Sequence, residues 1–342
     1  MPRFNAENVR VRKAYLTYLR EAKGQDEKSL SKASAAILDF EKSTGWKSFK
    51  KFHVEQAVGF KRFWAKKVTA RGRPLAVTTV DATLRLVKNF IEWLAGRPGY
   101  SRVVRYSDVA YFNNNRKAAR AAHAERPIQY PSMEAAAHAF QTMPVRTDVE
   151  RRDKAIFAFL MLTGARDSAV ATFRLKHINL IDRTVFQDGR EVKTKNSKTF
   201  TTTFFPVDAV YLEFFTDWVN YLREEKFYGA EDALFPKPQM RRIDGKFNHE
   251  ALSRDGYDNG QRINAVVKTA FANVQLPAYV AHSIRKTLTK LMSDMDLSLE
   301  EQKAWSQNLG HENFITTVSS YLPVSAEQQH RLIRGTLAKS SV

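Results

Sequence analysis

Six residues follow one another through the second half of the chain: Arg166 in TGAR, Lys198 in NSKT, His282 and Arg285 in AHSIR, His311 in LGH, and Tyr321. Their types suit a phosphodiester exchange carried out without a metal ion. Arginine and lysine neutralise charge on a transferring phosphoryl group, and a phenol can be the nucleophile. Arg166 and Arg285 are permanently charged planar donors suited to bidentate contact with the non-bridging oxygens. His282 and Arg285 are three residues apart, so on a helix they share one face and can reach one phosphate. A phenol of pKa about 10 is only ~0.1% ionised at pH 7, a deficit of roughly 4 kcal/mol that neighbouring cations and a base must offset.

The elements that must position these groups read as mainly α with a small antiparallel sheet. Leu30, Ala33, Ile37 and Phe40 recur at 3–4–3 spacing, and Ala57, Phe60 and Trp64 at 3–4. From Thr79 to Ala95, Val80, Leu84, Val87, Ile91 and Leu94 fall at 4–3–4–3, with Thr78 or Thr79 as expected N-cap and Gly96 as stop. These stretches predict a small helical bundle after about 25 leading residues. Helical periodicity resumes at Ser132 and runs through Ile156, Phe159, Leu160 and Thr163 to Gly164. After Leu180, TVFQDGREVKTKNSKTFTTTFFPV predicts three antiparallel strands turning at Asp188-Gly189 and around Asn196-Ser197. Helices are expected at 208–226 and 260–275, with a Gly/Asp/Arg-rich loop near 236–259 between them. Ser298 to Glu301 reads as a capping box opening a helix that Gly310 closes.

Charge divides the chain unevenly. The 342 residues carry a net charge of +19, with 26 Lys and Arg against 10 Asp and Glu in residues 1–124 and 29 against 26 in the remainder. The N-terminal part is therefore the expected electrostatic grip on a polyanion, since each cation set on a phosphate releases condensed counterions. Lys61, Arg62, Lys66, Lys67, Arg71 and Arg73 form its densest cluster, and Lys195 is a further DNA-contact candidate. The absence of cysteine rules out disulfides, cysteine-based zinc sites and a thiol nucleophile. MPRFNAENVR has no apolar targeting core, and no run approaches 18 apolar residues, so no membrane association is expected and a cytoplasmic, nucleoid-associated location is. No P-loop, HExxH or EF-hand pattern occurs.

With TGAR, SKTFTTTFFPV, HSIR, LGHENFITT and SSY in this order, the chain resembles the tyrosine recombinase (phage integrase) family over most of residues 25–335. That resemblance implies a SAM-like helical core-binding domain (1–112), a basic linker (113–130) and a catalytic domain with a three-stranded sheet (131–342). It implies a site-specific recombinase that cuts and rejoins duplex DNA through a 3′-phosphotyrosyl intermediate, needing no metal, ATP or other cofactor. Tyr321, ten residues beyond His311, is the nucleophile by resemblance. Lys198 is the implied general acid, with Lys195 and Lys193 as close competitors. His282 is implied as base or phosphate ligand and His311 as donor to the phosphate, whereas His177, His249 and His330 read as structural. Ala169 departs from the family's commonest pattern, which places an acid three residues after the arginine. Asp167 is present but displaced.

The resemblance further implies a DNA-bound homotetramer on specific core sites, closing on the duplex as a clamp, with accessory factors setting direction and a mobile element as the setting. Leu332, Ile333 and Leu337 form a tail stripe that could dock on a neighbouring subunit or on its own. With about 25 residues before the bundle, no further folded DNA-arm domain is expected. A non-catalytic DNA-binding protein of the same fold and a type IB topoisomerase-like relaxing activity are the alternatives.

Overall fold

The computed structural model describes residues 4–115, 120, 129–239, 241–243, 246–248, 251–311 and 329. Two compact units divide the chain, Met1–Arg126 and Pro127–Val342. Most of the expected linker, Tyr321, His249, His330 and the tail stripe lie outside the described residues.

In the first unit four helices are wrapped round one aromatic core: α1 (Ala6–Thr17), α2 (Glu27–Ser43), α3 (Val54–Lys66) and α4 (Val77–Ala95). A short fifth helix, α5 (Tyr106–Val109), follows. The periodic residues of α2 and α3, and those of α4 from Leu84 onward, are buried as their spacing predicts, and Val80 packs against the same core. Two expectations need correction. The bundle starts at Ala6 rather than near residue 25, with Asn5 capping α1 and a π-turn extending it through Ala22. This helix and its π-turn bury only Asn8, Tyr15 and Leu19, so their apolar spacing carries no clear period. Buried Asn8 donates to the Lys47 carbonyl at 2.9 Å and accepts the Phe49 amide at 3.0 Å, so it is held in the core by hydrogen bonds. The second correction concerns α4, whose N-cap is Ala76, with no side-chain cap, rather than Thr78 or Thr79.

The second unit is built on α7 (Asp148–Thr163), whose residues from Ala155 to Thr163 are buried on every side. Around it lie α6 (Met133–Gln141), capped by Ser132, the short α8 (Asp167–Val170), α9 (Ala209–Asn220), α10 (Gln261–Asn273), α11 (Ala281–Asp294) and α12 (Leu299–Asn308). α12 opens with the expected Ser298–Glu301 capping box. The antiparallel sheet has three strands in the order β1 (Ile178–Asn179), β2 (Thr184–Gln187), β3 (Phe200–Thr203). Its membership differs from the expected one. No strand forms between 190 and 195; β2 pairs directly with β3, and the third strand is β1.

Asp188-Gly189 is accordingly not a two-residue hairpin turn. The Asp188 carbonyl accepts the Glu191 and Val192 amides at 3.0 and 2.7 Å, beginning a long loop from 188 to 199. Gly189 is required there by close approach: a Cβ would stand 2.0 Å from the Ser197 carbonyl oxygen. The positive φ expected of a tight turn falls instead on Asn196 and Ser197. The segment near 236–259 also holds a two-stranded hairpin, β4 (Arg241–Ile243) and β5 (Lys246–Asn248), that its polar composition concealed.

Candidate active site

Four segments meet at the C-terminal end of α7. Gly164 ends that helix in the left-handed region, φ 57°, and a Cβ on it would lie 2.7 Å from Leu309 and 3.1 Å from Leu288. Glycine is needed both for the turn and for the approach of the LGH segment. Directly beyond the turn stands Arg166, half-buried.

Arg285, only 2% exposed, joins these segments. Its Nη1 donates to the Gly164 carbonyl at 2.9 Å and its Nη2 to the Leu309 carbonyl. One guanidinium from α11 thus ties the TGAR turn to the LGH turn. Beneath it, Phe205, Leu288, Met292, Trp305 and Leu309 form a small apolar cluster that fixes α11 against α12.

His282 sits at the start of α11 and His311 just after α12. His311 is 7% exposed, and burial together with the charges of Arg285, Arg166, His282 and Lys195 holds its pKa down at about 3. His282 is exposed at its surface, yet desolvation by the protein packed round it, then Arg285, Lys286 and Arg166, lower its pKa as well, with Asp167 opposing them. Both imidazoles are therefore neutral at pH 7, able to accept or donate one proton beside fixed cations. The charges of Arg166 and Arg285 act on both His282 and His311, so these four residues form one electrostatic cluster.

The long loop brings its lysines to this cluster unequally. Lys193 is turned away, its Nζ donating to the Asp258 carbonyl at 2.6 Å. Lys195 is exposed and its charge acts on His311. Lys198 lies 5.6 Å from the centroid of the Phe200 ring. That ring covers Gly310, where a Cβ would meet it at 2.4 Å and where φ is 72°. The loop is fastened to the arginine segment by Ser168 Oγ donating to the Lys193 carbonyl at 3.1 Å and by the Lys193 amide donating to Thr172 Oγ1 at 3.0 Å. His177 serves as a structural residue: its Nδ1 accepts the Arg174 amide at 2.9 Å, and its Nε2 contacts Glu191 at 3.1 Å.

Spacing gave no hint of two asparagines at the site. Asn308 pairs with the edge of β3, accepting the Thr203 amide at 2.7 Å and donating to its carbonyl at 2.8 Å, so the sheet is locked to the LGH turn. Asn264 reaches Asp167 from α10. Ala169, where an acid was looked for, is buried among apolar neighbours.

Of the six basic residues singled out in the first unit, Arg62, Lys66, Arg71 and Arg73 are exposed. Lys61 donates to the Asn113 carbonyl at 3.2 Å. Lys67 pairs with Asp39 at 2.7 Å and stands 4.2 Å over the Trp64 ring. Arg71 and Arg73 flank Gly72 in a tight turn closed by Thr69, whose amide donates to the Arg73 carbonyl at 2.8 Å. No group of histidine, aspartate and glutamate side chains suited to a metal ion occurs among the described residues, and no described helix is long and apolar enough to cross a membrane.

The sequence profile described as the Phage integrase family matches residues 132–328. The chain belongs to that family, and its class is the tyrosine-type site-specific recombinases. No curated protein matches it. Solved structures share its fold. A lambda integrase dimer bound to a COC′ core site is 11% identical with a TM-score of 0.59, covering 92% of this chain and 94% of that one. The Tn1549 transposon integrase in complex with transposon right end DNA is 15% identical, TM-score 0.57, over 95% and 98%. XerH site-specific recombinase bound to difH substrate is 13% identical, TM-score 0.55, over 95% and 84%.

Proposed function

We propose that this recombinase exchanges strands of duplex DNA at short core sites by the following chemistry. The Tyr321 oxygen attacks a backbone phosphorus, forming a 3′-phosphotyrosyl bond as the bond to the 5′-oxygen breaks. The phenolic proton passes to His282, and the leaving 5′-oxygen takes a proton from Lys198, with Lys195 as the competing donor. Arg166 and Arg285 hold the non-bridging oxygens and His311 donates to one of them. Attack by the free 5′-hydroxyl reverses the step, so bond energy is conserved and ATP is not consumed.

The observation that carries this reading is Arg285, which gathers the TGAR and LGH turns round one buried guanidinium while two neutral imidazoles stand beside it. Such fixed donors stabilise charge in the transition state without reorganising. The catalytic unit is residues 131–342, and the unit before it is the core-binding one, gripping phosphates through residues such as Arg62, Lys66, Arg71 and Arg73. Four copies assemble on two duplexes, with accessory factors setting direction, in the cytoplasm at the nucleoid of a cell carrying a mobile element. The test is cleavage of junction DNA in EDTA: full activity is expected from the wild type, and abolition by chelation would replace this reading with that of a metal-dependent nuclease.

A further inference from the structure

Arg285 ties α11 to the TGAR and LGH turns, but something else must hold Arg166 in register with the start of α11. Asn264 on α10 occupies that place. Its Nδ2 donates to Asp167 Oδ2 at 2.6 Å, and its Oδ1 accepts the Ala281 amide at 3.1 Å. Ala281 is the first residue of α11, and Val280 before it brings no side-chain acceptor. A neighbouring helix thus supplies the cap that α11 lacks. The other Asp167 oxygen accepts the Ser168 amide at 2.8 Å, which fixes the carboxylate at the head of α8.

Space for this arrangement is provided by Gly260, where a Cβ would stand 2.5 Å from Asp167 Cγ. Asp167 is the direct neighbour of Arg166, and Ala281 of His282. A short path of two side-chain hydrogen bonds therefore spans the distance between the two halves of the phosphate site.

We propose that Asp167 and Asn264 are a positioning pair that registers Arg166 against the helix end carrying His282 and Arg285. The proposal rests on the phosphoryl-transfer reading above. Neither residue touches the phosphate; each acts through its neighbour. Misplacement of reacting groups by about 1 Å can cost on the order of 10²-fold in rate.

The test compares the full chain with Asn264→Asp, Asp167→Asn and the double swap Asp167→Asn/Asn264→Asp. Covalent adduct formation is followed on a nicked junction duplex at saturating DNA, together with DNA affinity and thermal melting. Asn264→Asp opposes two carboxylates and removes the donor, so cleavage should slow by about 10- to 100-fold with affinity little changed. The double swap reverses donor and acceptor: the amide at 167 donates to the carboxylate at 264, whose second oxygen still accepts from Ala281. Cleavage should recover to within about fivefold of wild type. If Asn264→Asp does not fold, the double swap alone decides. A folded double swap that stays more than about fivefold below wild type, or a folded Asn264→Asp that cleaves at the wild-type rate, overturns the pair. A wild type that forms no adduct overturns the reaction reading instead.

Discussion

In the proposed mechanism Arg285 carries two burdens at once, and its replacement separates them from those of Arg166. Arg285→Ala leaves the Gly164 and Leu309 carbonyls without their partner, at a cost of about 1–3 kcal/mol for each buried group left unsatisfied. It should also slow cleavage about 10²- to 10³-fold by removing a transition-state donor. Arg166→Ala should lose a comparable factor in cleavage with little change in melting. Parallel melting and cleavage measurements check the contrast, and equal melting of the two variants would count against Arg285 as the tie. His311 gives a pH prediction. Its folded pKa is about 3, whereas unfolded histidine protonates near 6.5. Between those values the unfolded chain binds the proton better, so stability is lost as pH falls through that window. His311→Asn should narrow the stability gap between pH 7 and pH 4, as measured by urea unfolding at both.

The elements were legible in the sequence wherever burial is one-sided. α2, α3 and α4 announced themselves by spacing, because each presents one stripe to the core. α1 did not, since a polar Asn8 takes one of its core positions. The sheet was expected with three strands, but alternation in the 188–199 segment suggested a strand where a loop lies. That loop is held by side-chain bonds from Ser168 and Thr172, which no local pattern reveals. The motif arginines and histidines were visible as a set, whereas Asn264 and Asn308 act across the fold and needed the tertiary structure. Two expectations belong to this scale. Gly310→Ala forces a side chain into positive φ and into the Phe200 ring, so it should destabilise the LGH turn by about 1–3 kcal/mol and lower cleavage with it. Lys198→Ala should be rescued by a duplex whose bridging 5′-oxygen is sulfur, because a thiolate leaves without a proton. Rescue of Lys195→Ala in its place would transfer the acid role to the lysine whose charge acts on His311.

The whole molecule sets a basic unit with its own core beside a nearly balanced one in sequence. A fragment spanning residues 1–126 should therefore bind duplex DNA with an affinity that falls steeply with salt. For about six phosphate contacts the slope of log K against log salt is near −5. A flat response across a salt titration would mean that Arg62, Lys66, Arg71 and Arg73 only solvate the surface. In the proposed mechanism strand exchange depends on one oxygen, that of Tyr321. The most direct measurement incubates wild-type chain and Tyr321→Phe with a nicked junction duplex that traps the cleaved state, and looks for a protein–DNA band that survives denaturation. The wild type should give the band in EDTA, and Tyr321→Phe should bind the duplex within a few-fold yet give none. A band of equal strength from Tyr321→Phe would show that another residue is the nucleophile.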